Sequence, residues 1–223
     1  GTFIGILVVG MLIFIGVKTY RAYKRLKGGG AAALPDGVGA TVARLSVGFY
    51  ATEQALQRGL NALARTGKGG TPAGDAYLLR EATVLMIRAQ EAAARVYFEQ
   101  HPGLADAAAS SKLEALGMDL RGRFEHESVR ADEGGLRELP NTLGTSEPVA
   151  EFVVVSLAAA FTGGSFQTAR VTGADSLIAV LREFGALGAD RLLGMEVAWD
   201  PVSPEESLTS EEMDLHYAEL SSL

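Results

Sequence analysis

The residues that most resemble a phosphate-binding motif are Gly67 and Lys68, which stand in a glycine-rich stretch before a predicted helix. A P-loop needs a glycine five residues before such a Gly-Lys pair and a serine or threonine directly after the lysine. Ala62 and Gly69 occupy those two positions. We therefore interpret the stretch as a turn between two helices.

The three histidines, His101, His126 and His216, are the side chains best suited to bind a metal or transfer protons. No pair of them has the spacing of metal ligands. Glu125 and Glu127 flank His126, but successive helical residues point about 100° apart and cannot surround one ion. The sequence also lacks cysteine and a Gly-x-Ser-x-Gly nucleophile elbow. It therefore predicts a protein that is not an enzyme and has no metal and no cofactor.

Trp199 and Asp200 follow each other at the end of a predicted strand and are candidate contacts with a partner protein, because tryptophan is enriched at interfaces. The alternative is that the Trp199 ring closes the core between the sheet and the helices. Glu196 lies inside the same strand. We expect it to reach the rim of the sheet or to pair with an arginine such as Arg182 or Arg191.

The end of the chain is acidic, since residues 200–223 contain seven carboxylates and no lysine or arginine. Glu211 and Glu212 in this run are further candidate contacts with a partner, and the alternative is a solvated face that aids solubility. Residues 28–223 carry 15 basic and 27 acidic side chains, a formal net charge of −12. Such a surface is repelled by phosphate backbones, which argues against nucleic acid as a partner.

An apolar segment at residues 3–17 predicts a helix that crosses a membrane once, because with its flanks it offers about 19 of the ~20 residues required. A cleavable signal peptide is the alternative, but its basic residues would precede the apolar core. Here they follow it, which places the rest of the chain on the cytoplasmic side of the membrane or its organellar equivalent. The predicted anchor residues are Phe3, Ile4, Leu7, Val8, Leu12, Ile13, Phe14 and Ile15, and the predicted contacts with lipid headgroups are Lys18, Arg21, Lys24, Arg25 and Lys27.

Composition divides the chain into three parts. Residues 1–27 form the anchor and its basic flank, and residues 28–40 form a linker rich in glycine and alanine. Residues 41–223 form one acidic α+β domain, with a helical part at 41–128 and a sheet part at 151–223.

The helical part contains three predicted helices. Apolar or small residues recur at steps of four and three over 41–65 and over 72–100, which predicts two helices packed as an antiparallel hairpin. Thr71 and Pro72 supply an N-cap and a first helical proline for the second helix. A shorter third helix is predicted at about 110–127.

The sheet part begins with a buried strand at 151–162, which is rich in β-branched residues. An edge strand at 165–171, a helix ending at Gly185 and a strand at 191–199 follow. A strand, a crossover helix and a strand predict a parallel pair in a small mixed sheet. A capping box at 209–212 leads into a last short helix.

The sheet part also resembles a known family. The segments VVVSLAAAFTGG, DSLIAVLREFGAL, DRLLGMEVAWDP, SLTSEEM and HYAEL, with TPAGDAYLLREATVLMIR and RGRFEHESV before them, resemble the DUF1517 family over about residues 41–223. Proteins of this family are frequent in cyanobacteria and plastids, carry a single apolar span before the domain, and in several cases are linked to thylakoid membranes. The resemblance implies a location and a fold, and supplies no catalytic residues.

These observations lead to one functional hypothesis, one alternative and a third possibility, a homo-oligomeric membrane organiser. The hypothesis is a non-enzymatic, single-span protein that acts as an accessory, assembly or stabilising subunit of a larger membrane complex, photosynthetic or respiratory. Its partners are then other membrane proteins and, through the anchor, lipid. The alternative is a membrane-tethered enzyme or a sensor of a small ligand, with a pocket between the hairpin and the sheet near the carboxyl ends of strands 152–162 and 191–199.

Overall fold

The computed structural model describes residues 39–51, 54–133 and 152–223, with the side chains of 124–133 excepted. The predicted anchor at 1–27 and nearly all of the predicted linker lie outside these residues. None of the helices in the described part of the chain is long and apolar enough to cross a membrane.

The described residues form five strands and five α-helices. In chain order they are β1 (Ala40–Tyr50), α1 (Ala55–Arg65), α2 (Pro72–Arg88), a 3-10 turn (Gln90–Ala92), β2 (Ala93–Leu104), α3 (Asp106–Glu133), β3 (Phe152–Phe161), α4 (Ala174–Gly185), β4 (Leu192–Asp200), α5 (Ser210–His216) and β5 (Ser221–Ser222).

The strands make one sheet in the order β4-β3-β1-β2-β5, and every neighbouring pair is antiparallel. The long strand β1 lies in the centre, where Ser46 pairs with Ser156 of β3 on one side and Tyr97 of β2 on the other. The last strand, β5, adds two residues beside β2 and brings the end of the chain back to the sheet.

The sheet is covered on both faces. One face carries apolar side chains at alternate positions of β1 and β3 and packs on α1, α2 and α4, which form the main core. The other face packs on α3 and on the C-terminal segment that contains α5. A strand buried on both faces has a nearly continuous buried sequence, and this explains why ten of the eleven residues of β1 are buried.

The predicted helix at 41–65 is wrong in its first half, where the chain forms β1. The spacing of four and three that suggested a helix is also compatible with the alternation of a strand, because Leu45, Val47 and Phe49 face the same core. The residues between them face the other side of the sheet, where a Cβ atom on Gly48 would meet Met213 of α5. The helix is confined to α1, which packs on α2 as the predicted hairpin requires.

The predicted helix at 72–100 is correct for α2, including the Thr71 cap, whose side chain accepts a hydrogen bond from the N–H of Gly74. It is wrong beyond Arg88. Residues 93–104 form β2, where Val96, Tyr97 and Phe98 are residue types that favour strands. The apolar positions continue from α2 into β2 at the spacing of a helix, so periodicity alone did not reveal the boundary between these two elements.

The predicted parallel pair and the mixed sheet are also wrong. Strands β3 and β4 are antiparallel, with Phe161 opposite Leu192 and Val154 opposite Asp200. The connection runs through α4 and returns at the end where β3 finished, since the N–H of Thr162 donates to the carbonyl of Arg191 at 3.0 Å. A helix between two strands therefore does not produce a parallel crossover here.

The predicted edge strand at 165–171 is absent from the described sheet. Instead the backbone N–H of Phe166 donates to Oε1 of Gln100 at 2.9 Å, and the Phe166 ring stacks on Phe161 with its centroid 4.6 Å away. The apolar residue of this segment therefore fills the core as part of a loop. The strand at 152–161, the third helix, α4 and the capping box of α5 agree with the sequence analysis.

Candidate functional site

A group of charged side chains lies between the centre of the sheet and α3. Arg44 extends from β1 with only 4% of its surface exposed. Its Nη1 is 3.1 Å from Oδ2 of Asp119 on α3, and its Nη2 is 2.7 Å from Oε1 of Glu219 near the C terminus. The ring of Tyr97 also lies 5.4 Å from the guanidinium. Arg44 thus joins three separate parts of the chain.

Arg123, one turn after Asp119, completes this group. Its guanidinium contacts the same two carboxylates, at 2.8 Å from Asp119 and 2.7 Å from Glu219, and donates to the backbone carbonyl of His216. Burial alone lowers the pKa of Arg123, but the charges of Glu219 and Asp119 outweigh it and the pKa is raised. We call Arg44, Asp119, Arg123 and Glu219 the ion-pair cluster. It carries no net charge.

Two serines extend the ion-pair cluster across the sheet. Ser46 and Ser156 are directly opposite each other, with their hydroxyl oxygens 2.7 Å apart, and Nε of Arg44 donates to Ser46 at 3.2 Å. Both serines are almost fully buried. A nucleophilic serine needs a neighbouring base, and an arginine only donates hydrogen bonds. The arrangement therefore stabilises the sheet and is unsuited to nucleophilic catalysis.

Glu196 lies on the same face, near the middle of β4, with 7% of its surface exposed. Its Oε1 is 3.7 Å from Nη1 of Arg121 on α3, which is an ion pair too long for a hydrogen bond. Burial raises the pKa of this carboxyl, and Arg121 offsets only part of the rise. The predicted partners Arg182 and Arg191 make no ion pair with Glu196, and Arg191 instead donates to the carbonyl of Thr162.

The structure places the four candidate partner contacts in different environments. Trp199 lies in the main core with 8% of its surface exposed, and its indole N–H has no hydrogen-bond partner among the described residues. Asp200 is 4% exposed and accepts a hydrogen bond from the Tyr217 hydroxyl at 2.7 Å. Glu212 caps α5, whereas Glu211 is exposed to solvent in the first turn of that helix. Contact with a partner stays a prediction, and of the four only Glu211 has the exposure that it requires.

No group of three or more metal-ligating side chains is found within the residues described. Among the histidines, Nε2 of His101 is 2.7 Å from a carboxylate oxygen of Glu99. The side chains of Glu125, His126 and Glu127, at the end of α3, lie outside the described part.

A cavity of about 430 Å³ opens at one end of the sheet. Its walls come from the end of β1, the start of α1, the end of α2 and the 3-10 turn, with Val153 of β3 at its base. The sequence predicted a pocket at the carboxyl ends of two parallel strands, near Gly163, Gly164 and Asp200. The cavity does lie between the helices of the predicted hairpin and the sheet. The placement at those two carboxyl ends is wrong, because adjacent antiparallel strands have their carboxyl ends at opposite ends of the sheet.

Sequence reasoning placed the cavity at the wrong end of the sheet for a specific reason. Tyr50 and Arg88 belong to its wall, and each was assigned to the interior of a long helix. Only the correct ends of β1 and α2 bring these two side chains to the same opening. Residues 75–88 contain neither glycine nor proline and gave no signal of where α2 ends.

The fold defines a helix–sheet–helix α+β domain, and comparison with known proteins identifies its family. The chain belongs to the family described as Protein of unknown function (DUF1517), whose model matches residues 39–223. This confirms the resemblance found in the sequence. No solved structure matches the chain.

Two curated proteins are similar to this chain. Protein FLAP1 homolog A from Synechocystis sp. is 28% identical over 206 residues, which cover 87% of this chain and 60% of that protein. The chloroplastic FLUCTUATING-LIGHT-ACCLIMATION protein 1 from Arabidopsis thaliana is 24% identical over 180 residues, which cover 81% of this chain and 46% of that protein. The chain thus spans about half the length of the curated relatives it matches.

Proposed function

We propose that this protein is a non-enzymatic accessory factor of photosynthesis that acts in acclimation to changing light by binding other proteins at a membrane. The observation that carries the proposal is the similarity over most of the chain to a relative named for fluctuating-light acclimation. Under this proposal the chain works in a cyanobacterium or a plastid, with its α+β domain on the cytoplasmic or stromal side.

The geometry of the described residues favours binding over catalysis. The arginines and carboxylates of the ion-pair cluster engage each other and join β1, α3 and the C-terminal segment. A general acid or base must instead face a substrate with part of its hydrogen-bonding capacity available. The cluster therefore supports a rigid domain whose outer surface makes the functional contacts.

Two features of the sequence favour work at a membrane with protein partners. The apolar segment at 3–17 and its basic flank have the pattern of a single-span anchor. The acidic C-terminal region provides a surface for a basic partner, and Glu211 is its most accessible predicted contact.

The proposal can be tested in a Synechocystis strain that lacks FLAP1 homolog A. The strain would express this chain with a C-terminal tag and grow under constant light and under alternating strong and weak light, with growth and chlorophyll fluorescence as the readouts. We expect the chain to improve growth under alternating light and to have no effect under constant light. Equal growth with and without the tagged chain, at confirmed expression, would contradict a role in acclimation.

The same strain tests the subunit part of the proposal. Membranes would be dissolved in mild detergent, and the tagged chain would be recovered and examined on native gels and by mass spectrometry. We expect one defined complex at constant stoichiometry, and Glu211→Lys to reduce its recovery without unfolding the chain. Recovery of the chain alone across several detergents and salt concentrations would contradict the subunit role.

Replacing Leu7 and Leu12 by lysine tests the anchor, since the chain should then leave the membrane fraction.

A further inference from the structure

The cavity at the end of the sheet has the size and the lining of a binding site for a small molecule. Its volume of about 430 Å³ falls within the roughly 300–1,000 Å³ usual for ligand pockets. Phe49 and Val153 at its base are 1% and 2% exposed and belong to the main core. The base is therefore apolar and held in place by the packing of the sheet.

An aromatic side chain forms one wall. Tyr50, the last residue of β1, is 45% exposed, which is unusual for a large side chain next to the core. Its ring stacks on Phe152 with the centroids 5.1 Å apart and the planes at 30°, so Phe152 holds the Tyr50 ring in position. The second face of a stacked aromatic ring is well suited to contact another flat apolar group.

Two charged side chains lie at the opening. Arg88, the last residue of α2, is exposed and makes no ion pair or hydrogen bond with any described residue. Glu91, in the 3-10 turn, is also exposed and unpaired within the described part of the chain. This contrasts with Arg44 and Arg123, whose charges are matched by carboxylates.

We propose that this cavity binds a small organic acid with a flat apolar body and a single carboxylate. The flat body would lie on the apolar base and against Tyr50, and the carboxylate would meet Arg88, whose planar guanidinium matches a carboxylate with two parallel hydrogen bonds. Among the described lining residues, Arg88 supplies one cation and Glu91 one carboxylate, so a singly charged acid fits better than a phosphate with two charges. This site goes beyond the proposed role in light acclimation and does not depend on it.

Three naphthalene derivatives of the same shape test the proposal, namely 1-naphthoate, 1-naphthalenemethanol and 1-naphthylmethylamine. Each would be titrated into the full chain in mild detergent by calorimetry, with detergent alone as the blank. We expect saturable binding of 1-naphthoate, about three- to tenfold tighter than the neutral alcohol, and weakest binding of the amine. Equal affinity for all three would overturn the preference for an acid, and absence of saturable heat would overturn the site.

Two substitutions at the opening should act in opposite directions. Arg88→Gln should weaken 1-naphthoate about three- to tenfold and leave the alcohol unchanged, because only the charged contact is lost. Glu91→Gln should strengthen 1-naphthoate by roughly twofold, since a like charge is removed from the opening. Unchanged affinity in Arg88→Gln, or weaker binding in Glu91→Gln, would overturn the assigned orientation.

Two further variants complete the test. Arg170→Gln removes an exposed arginine on a loop that does not contribute to the cavity, and it should leave all three affinities unchanged. Leu85→Trp adds bulk to a side chain of the cavity wall and should abolish binding of all three compounds. Circular dichroism of each variant checks that it is folded. Unaltered binding in folded Leu85→Trp would place the ligand elsewhere and overturn the proposal.

Discussion

Arg44 of the central strand and Glu219 near the C terminus form an ion pair of 2.7 Å, although 175 residues separate them in the sequence. The same carboxylate contacts Arg123 of α3 at 2.7 Å. The end of the chain is thus held to the middle of the sheet and to the helix on its second face. Apolar contacts of Tyr217 and Leu220 with the sheet lie beside this polar connection.

Loss of Arg44 should destabilise the fold. In Arg44→Met the side-chain volume stays similar, but Asp119 and Glu219 keep only Arg123 as a cationic partner. Removing one member of a fully buried pair costs about 3–5 kcal/mol, and partial exposure of the two carboxylates reduces this, so we expect a loss of about 2–3 kcal/mol. Urea unfolding followed by the fluorescence of Trp199, the single tryptophan, measures it.

Arg170→Met is the matched control, because Arg170 is exposed and forms no ion pair with a described residue. We expect the free energy of unfolding to change by less than about 0.5 kcal/mol in this variant. If Arg44→Met were equally mild, the ion-pair cluster would be a consequence of the fold with no stabilising role.

The stability of the protein should depend on pH through Glu196. Its pKa is raised by burial, so the folded state holds the proton more tightly than the unfolded state. The associated stability is fully present below the ordinary glutamate pKa. It is lost as the pH rises through the interval between that value and the raised pKa of Glu196. The free energy of unfolding should therefore fall across this interval.

Glu196→Gln isolates this effect, because glutamine resembles the protonated glutamate and does not titrate. Subtracting the unfolding free energy of the wild type from that of Glu196→Gln at each pH removes the contribution of the other carboxyls. We expect the difference to increase with pH and then to level off. A difference that decreases with pH would mean that Arg121 dominates and that the pKa is lowered.

Gly117 of α3 allows this helix to approach Glu196. A Cβ atom added at position 117 would overlap Oε2 of Glu196. Gly117→Ala should therefore cost about 1–2 kcal/mol, despite the gain of up to about 1 kcal/mol that alanine gives a helix. In the Glu196→Ala background the overlap disappears and the same substitution should become stabilising. Thermal unfolding of the four proteins in this double-mutant cycle measures the change of sign.

Gly122 supplies the comparison on the same helix. A Cβ atom at this position meets no atom within 4 Å. Gly122→Ala should stabilise the protein by up to about 1 kcal/mol with either residue at position 196. If Gly117→Ala behaved in the same way, Glu196 would be free to move away from α3.

The sequence predicted helices and strands correctly where a local signal marks them. It predicted the boundaries between elements and the direction of the strands less well. The capping box of α5, the proline that starts α2 and the β-branched run of β3 are local signals, and each predicted an element that the structure contains. Strand β1 was missed because its alternation, read over 25 residues together with α1, matched a helical stripe. Strand direction depends on the path of a connection, and the path through α4 has no local signal.

The candidate sites were harder to predict than the fold. Arg44, the Asp119–Arg123 pair and Glu219 lie far apart in the sequence and come together only when β1, α3 and the C-terminal segment pack. Arg44 in particular was assigned to a helix, where nothing suggested that it is buried. The cavity likewise depends on the ends of β1 and α2, which are element boundaries that periodicity defines poorly.

The capping box of α5 gives the last prediction, because each of its two side chains accepts a hydrogen bond from the backbone N–H of the other residue, whereas the neighbouring Glu211 is exposed. The Thr209 hydroxyl accepts from the N–H of Glu212 at 3.2 Å, and the Glu212 carboxylate accepts from the N–H of Thr209 at 2.8 Å. Thr209→Ala and Glu212→Ala should each cost about 1 kcal/mol, and the double variant less than their sum, since each loss removes part of the other's support. Glu211→Ala, in the same turn, should leave urea unfolding unchanged. Full additivity of the first two variants would contradict the reciprocal cap. A large loss in Glu211→Ala would show that this carboxylate supports the fold and is not available to a partner.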